Sequence, residues 1–188
     1  MLQQVREIDV VSVPPAGTYE LDPSHTEVGF VARHMLTKVR GRFTEFSGTI
    51  EVGETPEESS VEVEVKTDSV QTNFQQRDDH LRSADFFETD AHPVMTFRST
   101  AIRHTGGSSF ELDGDLTIRD VTKPITFEGE FLGWGKDPYE NTFFSAEAKT
   151  TVEREDWDLT WNMAVETGGF LVSKKVDLVI DVEARQVS

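Results

Sequence analysis

The sequence predicts an all-β fold, an antiparallel barrel or sandwich with one or two short helices. Three observations carry that expectation. Apolar residues recur at period two, the strand period, through most of the chain. Clusters of Gly, Pro, Asp and Asn, such as HTGGSS, RDVTKP and GKDPYEN, separate those runs with turn chemistry. Two stretches depart from the period, and no repeat, low-complexity tract or long linker divides the 188 residues into further domains.

Taken in order, residues 1–17 form an N-terminal extension and residues 18–188 the single barrel domain. The opening MLQQVREIDVVSVPPAG carries charges and no apolar core of signal-peptide length, and no later run reaches membrane-span length. A soluble cytoplasmic protein without stable membrane insertion is therefore expected. Val28, Phe30, Ala32 and His34 share one strand face. Val61, Val63 and Val65 alternate with Glu62, Glu64 and Lys66. Phe110, Leu112, Gly114, Leu116 and Ile118 form another such face, followed by Ile125, Phe127, Gly129 and Phe131. The last run extends from Val172 through Lys174, Val176, Leu178, Ile180 and Val182 to Ala184. A closed barrel of about eight strands would remove exposed edges and leave room inside for one small ligand. Glycines such as Gly114 and Gly129 would mark bends that close it. Any edge left exposed would serve a homodimer.

The two departures are helical. Thr72 followed by Gln75 matches a capping box, so a helix is expected from about Asn73 to Ser83, with Phe74 and Leu81 anchoring it. Pro93 blocks its continuation. A second short helical piece is expected around Arg154 to Trp161.

Composition narrows the function. The formal net charge of −17 argues against a nucleic-acid partner and against general electrostatic attraction to an anionic membrane. The absence of Cys excludes disulfides and thiolate chemistry. Thirteen Phe against two Tyr and three Trp fit an apolar cavity, because Phe carries no polar handle.

The stretch QQRDDHLRSADFF, Gln75 to Phe87, concentrates the polar candidates. A metal site would draw on Asp78, Asp79 and His80, but neighbouring residues on a helix point apart and no metal-ligand spacing occurs. An acid–base site would pair His80 with Asp78 or Asp79, yet no nucleophile motif accompanies it. A polar rim over an apolar interior fits best, since pockets combine greasy walls with a few placed polar groups. A second feature is the segment from Val28 to Thr44, which holds Arg33, His34, Lys38, Arg40 and Arg42 and no acidic residue. Cross-strand pairing with glutamates and a site for a polar head group are the two readings of it. Trp157, Trp161, Met163 and Phe170 form a stripe that reads as core, with Gly168 and Gly169 a turn into the last strand.

Four segments together resemble the YceI-like family, the lipocalin-like, polyisoprenoid-binding proteins of bacteria. They are YELDPSHTEVGFVARHMLTKVRGRFTEFSGTIEV, VQTNFQQRDDHLRSADFFETDAHPVMTFRST, LDGDLTIRDVTKPITFEGEF and TGGFLVSKKVDLVIDVEA. The resemblance covers roughly Thr18 to Ala184. It implies an extended antiparallel lipocalin-like barrel around a long apolar tunnel, holding a long-chain isoprenoid, either a polyprenyl pyrophosphate or an isoprenoid quinone. The protein would bind and sequester or transport this lipid with no chemistry of its own, no cofactor and no metal. His25, Arg77, Asp78 and His80 fall on the family's recurring polar positions and are the expected rim. Phe30, Phe86, Phe97, Phe127 and Trp161 are the expected tunnel wall. Many relatives carry a secretion signal, which this chain does not show. Where many relatives have Gly-Asp-x-Val near the end, Lys174 and Lys175 stand here in VSKKVDL. The rival expectation is a lipid hydrolase or isomerase using Asp78, His80 and His25.

Overall fold

The computed structural model describes residues 6–187, and within them the chain closes into an antiparallel β-barrel. The strands are β1 (Arg6–Ile8), β2 (Val11–Val13), β3 (Gly17–Leu21), β4 (Glu27–His34), β5 (Thr37–Phe43), β6 (Phe46–Val52), β7 (Ser60–Lys66) and β8 (Val70–Gln71). Helix α1 (Gln75–Arg82) follows, then β9 (Val94–Gly106), β10 (Ser109–Ile118), β11 (Val121–Lys136), β12 (Thr142–Glu153) and β13 (Lys175–Gln186). Short 3-10 turns occupy Pro56–Glu58, Thr67–Ser69 and Arg154–Trp157.

Eight strands run around the barrel in the order β12-β11-β10-β9-β7-β6-β3-β13, and a β12–β13 ladder joins the last to the first. That ladder runs from Phe143↔Arg185 to Glu153↔Lys175, which decides for a barrel over a sandwich. β3 and β4 follow one another along the same edge of β13, pairing at Ala184↔Leu21 and Ile180↔Val28. They act as one strand broken at Asp22–Thr26. β5 continues this upper part as the partner of β4, and β8 adds Phe43↔Val70. β8 covers the end of β5, which leaves Thr37–Gly41 of β5 without a partner on its outer side among the described residues. Lys38 and Arg40 stand on it, and such charges blunt edge-to-edge pairing of the kind expected for a homodimer.

Alternation builds the wall. On β10, Leu112, Gly114, Leu116 and Ile118 are buried while Glu111, Asp113, Asp115 and Thr117 between them are not. On β13 the inward Val176, Leu178 and Ile180 stay only half-buried, because they face a void instead of packed atoms. The packed core sits at the end capped by α1, where Phe43, Val70, Leu116, Trp157 and Leu159 meet. A second cluster around Tyr19, Ile50, Phe144 and Ala184 fills the opposite end. Burial there pushes the Tyr19 phenol up to about 12, and its hydroxyl donates to Pro15 O at 2.9 Å.

Several details differ from the sequence expectation. Gly114 sits at a bulge, as a bend requires, but Gly129 makes room instead. A Cβ there would stand 2.2 Å from Phe110 Cζ, the same separation found between a Cβ at Gly41 and Phe30 Cζ. The rings lie flat over the glycines of the neighbouring strand. The last strand begins at Lys175, not Val172, because β12 leaves the ladder at Glu153↔Lys175 and turns into the Arg154–Trp157 segment, where Lys174 pairs with Glu155 at 3.0 Å. The second helical piece is a single 3-10 turn ended by Asp158 in the left-handed region. Of the tryptophan stripe, Trp157 is core and donates to Leu116 O at 2.9 Å, while Met163 and Phe170 are exposed. Residues 6–13 of the N-terminal segment form the β1–β2 hairpin. Arg6 pins it to the β6–β7 turn through Gly53 O at 2.8 Å, and Trp134 Nε1 donates to Ser12 Oγ at 2.8 Å.

Candidate functional site

A cavity of ≈ 750 Å³ runs through the barrel. That volume falls within the range of about 300–1,000 Å³ for small-molecule sites. Val28, Val63, Phe97, Phe127 and Ile180 stand in its wall, and Ile8, Val11 and Val13 of the β1–β2 hairpin line one end. The other end is lined by Arg77, His80 and Leu81 of α1 with Phe86, Trp161 and Val172. Phe30, Phe86, Phe97, Phe127 and Trp161 all lie on this wall.

α1 is held over its end by a polar hub instead of a capping box. Its N-cap is Phe74, with no side-chain cap, and Phe74 is 53% exposed, so it is not a buried anchor; its ring lies 5.5 Å from the Arg77 guanidinium at the cavity edge. Asn73 in the left-handed region turns Thr72 back toward the helix. The buried Asp78 carboxylate then accepts from Thr72 N at 2.8 Å and from the Thr72 hydroxyl. Arg77 Nε donates to the same hydroxyl at 2.7 Å, and its Nη2 to Thr72 O at 2.9 Å. Asp78 thus serves the fold, while Arg77 and His80 reach the cavity wall. His80 Nε2 lies 2.8 Å from Asp85 Oδ2, and its ring stands edge-on to Trp161 at 4.5 Å and Phe86 at 5.1 Å. Asp79 points outward to Gln75 and Arg82. The three consecutive polar residues diverge, as helix geometry demands.

His25 lies elsewhere. It sits in the break between β3 and β4, with Nδ1 2.9 Å from Asp22 Oδ2 and 3.5 Å from Glu183 Oε1. Hydrogen bonds from Ser24 and His25 hold the Asp22 carboxyl well below the usual carboxylate range. The Asp22 hydrogen bond and the Glu183 charge raise the His25 imidazole. Asp22, His25 and Glu183 offer atoms within 4.8 Å of one another, a spacing a cation would accept. Arg185 already serves that need, its Nη2 lying 2.7 Å from Asp22 Oδ2. α1 instead packs through His80 against Trp161, in the connection that leads into β13 at Lys175. The strand from Lys175 to Glu183 spans about 26 Å at about 3.3 Å per residue. The structure does not bring His25, Asp78 and His80 together.

One residue on the wall was not expected. Arg154 is 5% exposed and lines the α1 end of the cavity. Its Nε donates to Ser173 O at 2.9 Å and Nη1 to Leu159 O at 2.5 Å, while Nη2 has no partner among the described residues. The guanidinium lies 6.0 Å over the Phe86 ring, and burial lowers its pKa. The signal was the strand parity. Ala146, Ala148 and Val152 of β12 face the cavity, and two further residues reach Arg154.

A closed barrel around an apolar void, with a few cations at one end, is the architecture of a ligand-enclosing barrel. The comparisons give its relatives. The family model described as the YceI-like domain matches residues 19–184, and the chain belongs to that family. It is 35% identical over 172 residues to a UPF0312 protein of Ectopseudomonas mendocina, covering 89% of this chain and 87% of that one. The YceI protein of Campylobacter jejuni superposes with a TM-score of 0.72 at 29% identity, over 89% of this chain and 97% of that one. A polyisoprenoid binding domain from Saccharophagus degradans shares the fold at a TM-score of 0.67 and 14% identity, over 92% and 99% of the two chains.

Proposed function

We propose that the barrel binds one long-chain isoprenoid lipid, a polyprenyl pyrophosphate or an isoprenoid quinone, and sequesters or carries it without chemical change. The observation that carries this reading is the ≈ 750 Å³ cavity, walled by Phe and aliphatic residues along the length of a closed barrel. Family membership and the polyisoprenoid binding domain of the same fold support it. The tail lies along Phe97 and Phe127, and the head sits beneath α1, where Arg77, His80 and Arg154 meet the wall.

Burial alone supplies the affinity. Each methylene removed from water contributes about 0.8 kcal/mol, and ordering a flexible chain offsets much of the sum. Arg77, His80 and Arg154 then fix the direction of the lipid. Chemistry has little to work with, since the Asp78 carboxylate is bound by Thr72 and His25 is on the outer wall. The test is solvent extraction of the purified protein followed by mass spectrometry. About one polyprenyl lipid per chain is expected. An empty extract, repeated after incubation with quinones and prenyl pyrophosphates, would overturn the reading. Turnover of prenyl pyrophosphates that disappears in His80→Ala with the fold intact would overturn its non-enzymatic half.

A further inference from the structure

The β4–β5 hairpin ends in a two-residue turn of Met35 and Leu36. Such turns favour Asn and Gly, because positive φ strains residues with a larger side chain. Met35 nevertheless has φ 54 and is 51% exposed, and Leu36 is 91% exposed. Two large apolar side chains therefore occupy a strained tip without packing in return. The next layer repeats the pattern. Met35 N donates to Leu171 O at 2.8 Å, Leu171 N donates to Met163 O at 2.9 Å, and Ala164 bridges Phe170. Met163 and Phe170 are 58% and 59% exposed. Four exposed apolar side chains thus crown backbone segments that are hydrogen-bonded side by side. Leu171, Val172 and His34 of these segments line the cavity, so the crown stands at its mouth.

The charge beside this crown is opposite to that of the whole protein. Arg33 faces Lys38 across the hairpin, and Arg40 and Arg42 follow Lys38 on the same outer face. All four are exposed, and none makes an ion pair among the described residues. Arg42 instead meets the neutral Gln71 amide at 3.2 Å. No glutamate stands directly opposite these cations in the β4–β5 ladder; Glu27 stands two residues from Gly29, the partner of Arg42. Glu166 stands in the turn between Ala164 and Phe170.

We infer that this crown docks the mouth of the barrel on an anionic lipid bilayer. Met35, Leu36, Met163 and Phe170 enter the interface, while Arg33, Lys38 and Arg40 nearest the tip meet lipid phosphates. The net charge of −17 opposes attraction at long range. At physiological ionic strength the Debye length is about 8 Å, so charges on the far side of the barrel are screened while those in contact are not. The acidic body then orients the molecule instead of preventing contact. This inference rests on the lipid-carrier reading for its purpose, passage of an isoprenoid between bilayer and cavity, but not for its physical basis.

Vesicle flotation with the full chain tests it. Vesicles of phosphatidylcholine with one-third phosphatidylglycerol should carry the protein, and pure phosphatidylcholine vesicles at least tenfold less. Leu36→Ser with Phe170→Ser should weaken binding tenfold or more, as should Lys38→Glu with Arg40→Glu, with melting temperatures unchanged. Salt at 1 M, where the Debye length is about 3 Å, should reduce binding. Absence of flotation, equal binding to neutral vesicles, or binding untouched by both variants would overturn the inference. So would concentration-dependent dimerisation that the Leu36→Ser, Phe170→Ser variant abolishes, since the crown would then be a contact between copies. Lipid content measured on the same samples separates the two readings. Variants that keep their lipid but fail to float support both, whereas flotation of a protein that never holds lipid refutes the carrier reading alone.

Discussion

Arg154 shows how a single side chain decides what a cavity selects. Two of its donors hold the connection between β12 and β13 through Ser173 O and Leu159 O, and Nη2 remains unmatched beside an apolar void. An unpaired buried charge is costly, and an anionic head group would relieve that cost. Arg154→Lys, which keeps a cation but loses the planar fork, should weaken a polyprenyl pyrophosphate by tenfold or more and leave a neutral quinone nearly unchanged. Competitive binding of the two lipids measures this; equal losses would assign Arg154 to the fold alone. His25 offers a different test. Its raised pKa makes its contribution to stability complete below the unfolded value of 6.5 and lost as pH rises through the higher folded value. Asp22 acts in the opposite sense, contributing above its unfolded value of 3.8 and losing that contribution as pH falls through a lower folded value. The pair therefore contributes most between about pH 4 and 6.5. In thermal melts across pH, His25→Asn should flatten the alkaline side of that window. These residues also mark what the sequence could disclose. The divergence of Asp78, Asp79 and His80 follows from helix geometry and was legible. The partnership of Asp22 with Glu183 and Arg185 was not, because it joins residues brought together by the β3–β13 pairing.

At the scale of elements, the period-two runs predicted the strands well, since one face of each meets an apolar interior. The helix start was misplaced for a physical reason. Thr72 and Gln75 match a capping box in sequence, but Thr72 lies outside the first turn and bonds Asp78 instead. The β1–β2 hairpin was legible only as an extension, because three-residue strands carry too little pattern. Its place at one end of the cavity gives it a measurable role. Arg6→Ala removes donors to Pro14 O, Gly53 O and Glu54 O, so the hairpin should loosen while the barrel stays folded. Lipid exchange should quicken severalfold with little change in melting temperature, as followed by transfer to acceptor vesicles; an unchanged rate would show that the lipid leaves at the α1 end alone. Gly41→Ala probes the wall itself. The new methyl must displace the Phe30 ring, an overpacking that costs about 1–3 kcal/mol, read from denaturant unfolding.

For the whole molecule, barrel closure turns an apolar sequence face into an enclosed volume. A protein with a filled core would bury its inward Leu, Ile and Val completely. Here Val176, Leu178 and Ile180 remain half-buried around the void. Barrels and sandwiches both give one apolar face per strand, which is why the sequence pattern alone could not separate them. The charge of −17 keeps the outer wall solvated, and the hairpin cations interrupt it at the mouth. The central claim is that a lipid occupies this interior. Ala148 faces it from the middle of β12, where a larger side chain would project into the void without touching the ends. Native mass spectrometry of the wild type and of Ala148→Trp, each incubated with a long-chain polyprenyl lipid, tests the claim directly. The account predicts one lipid per wild-type chain and none on a folded Ala148→Trp. Equal loading of both proteins would place the lipid outside the barrel and contradict it.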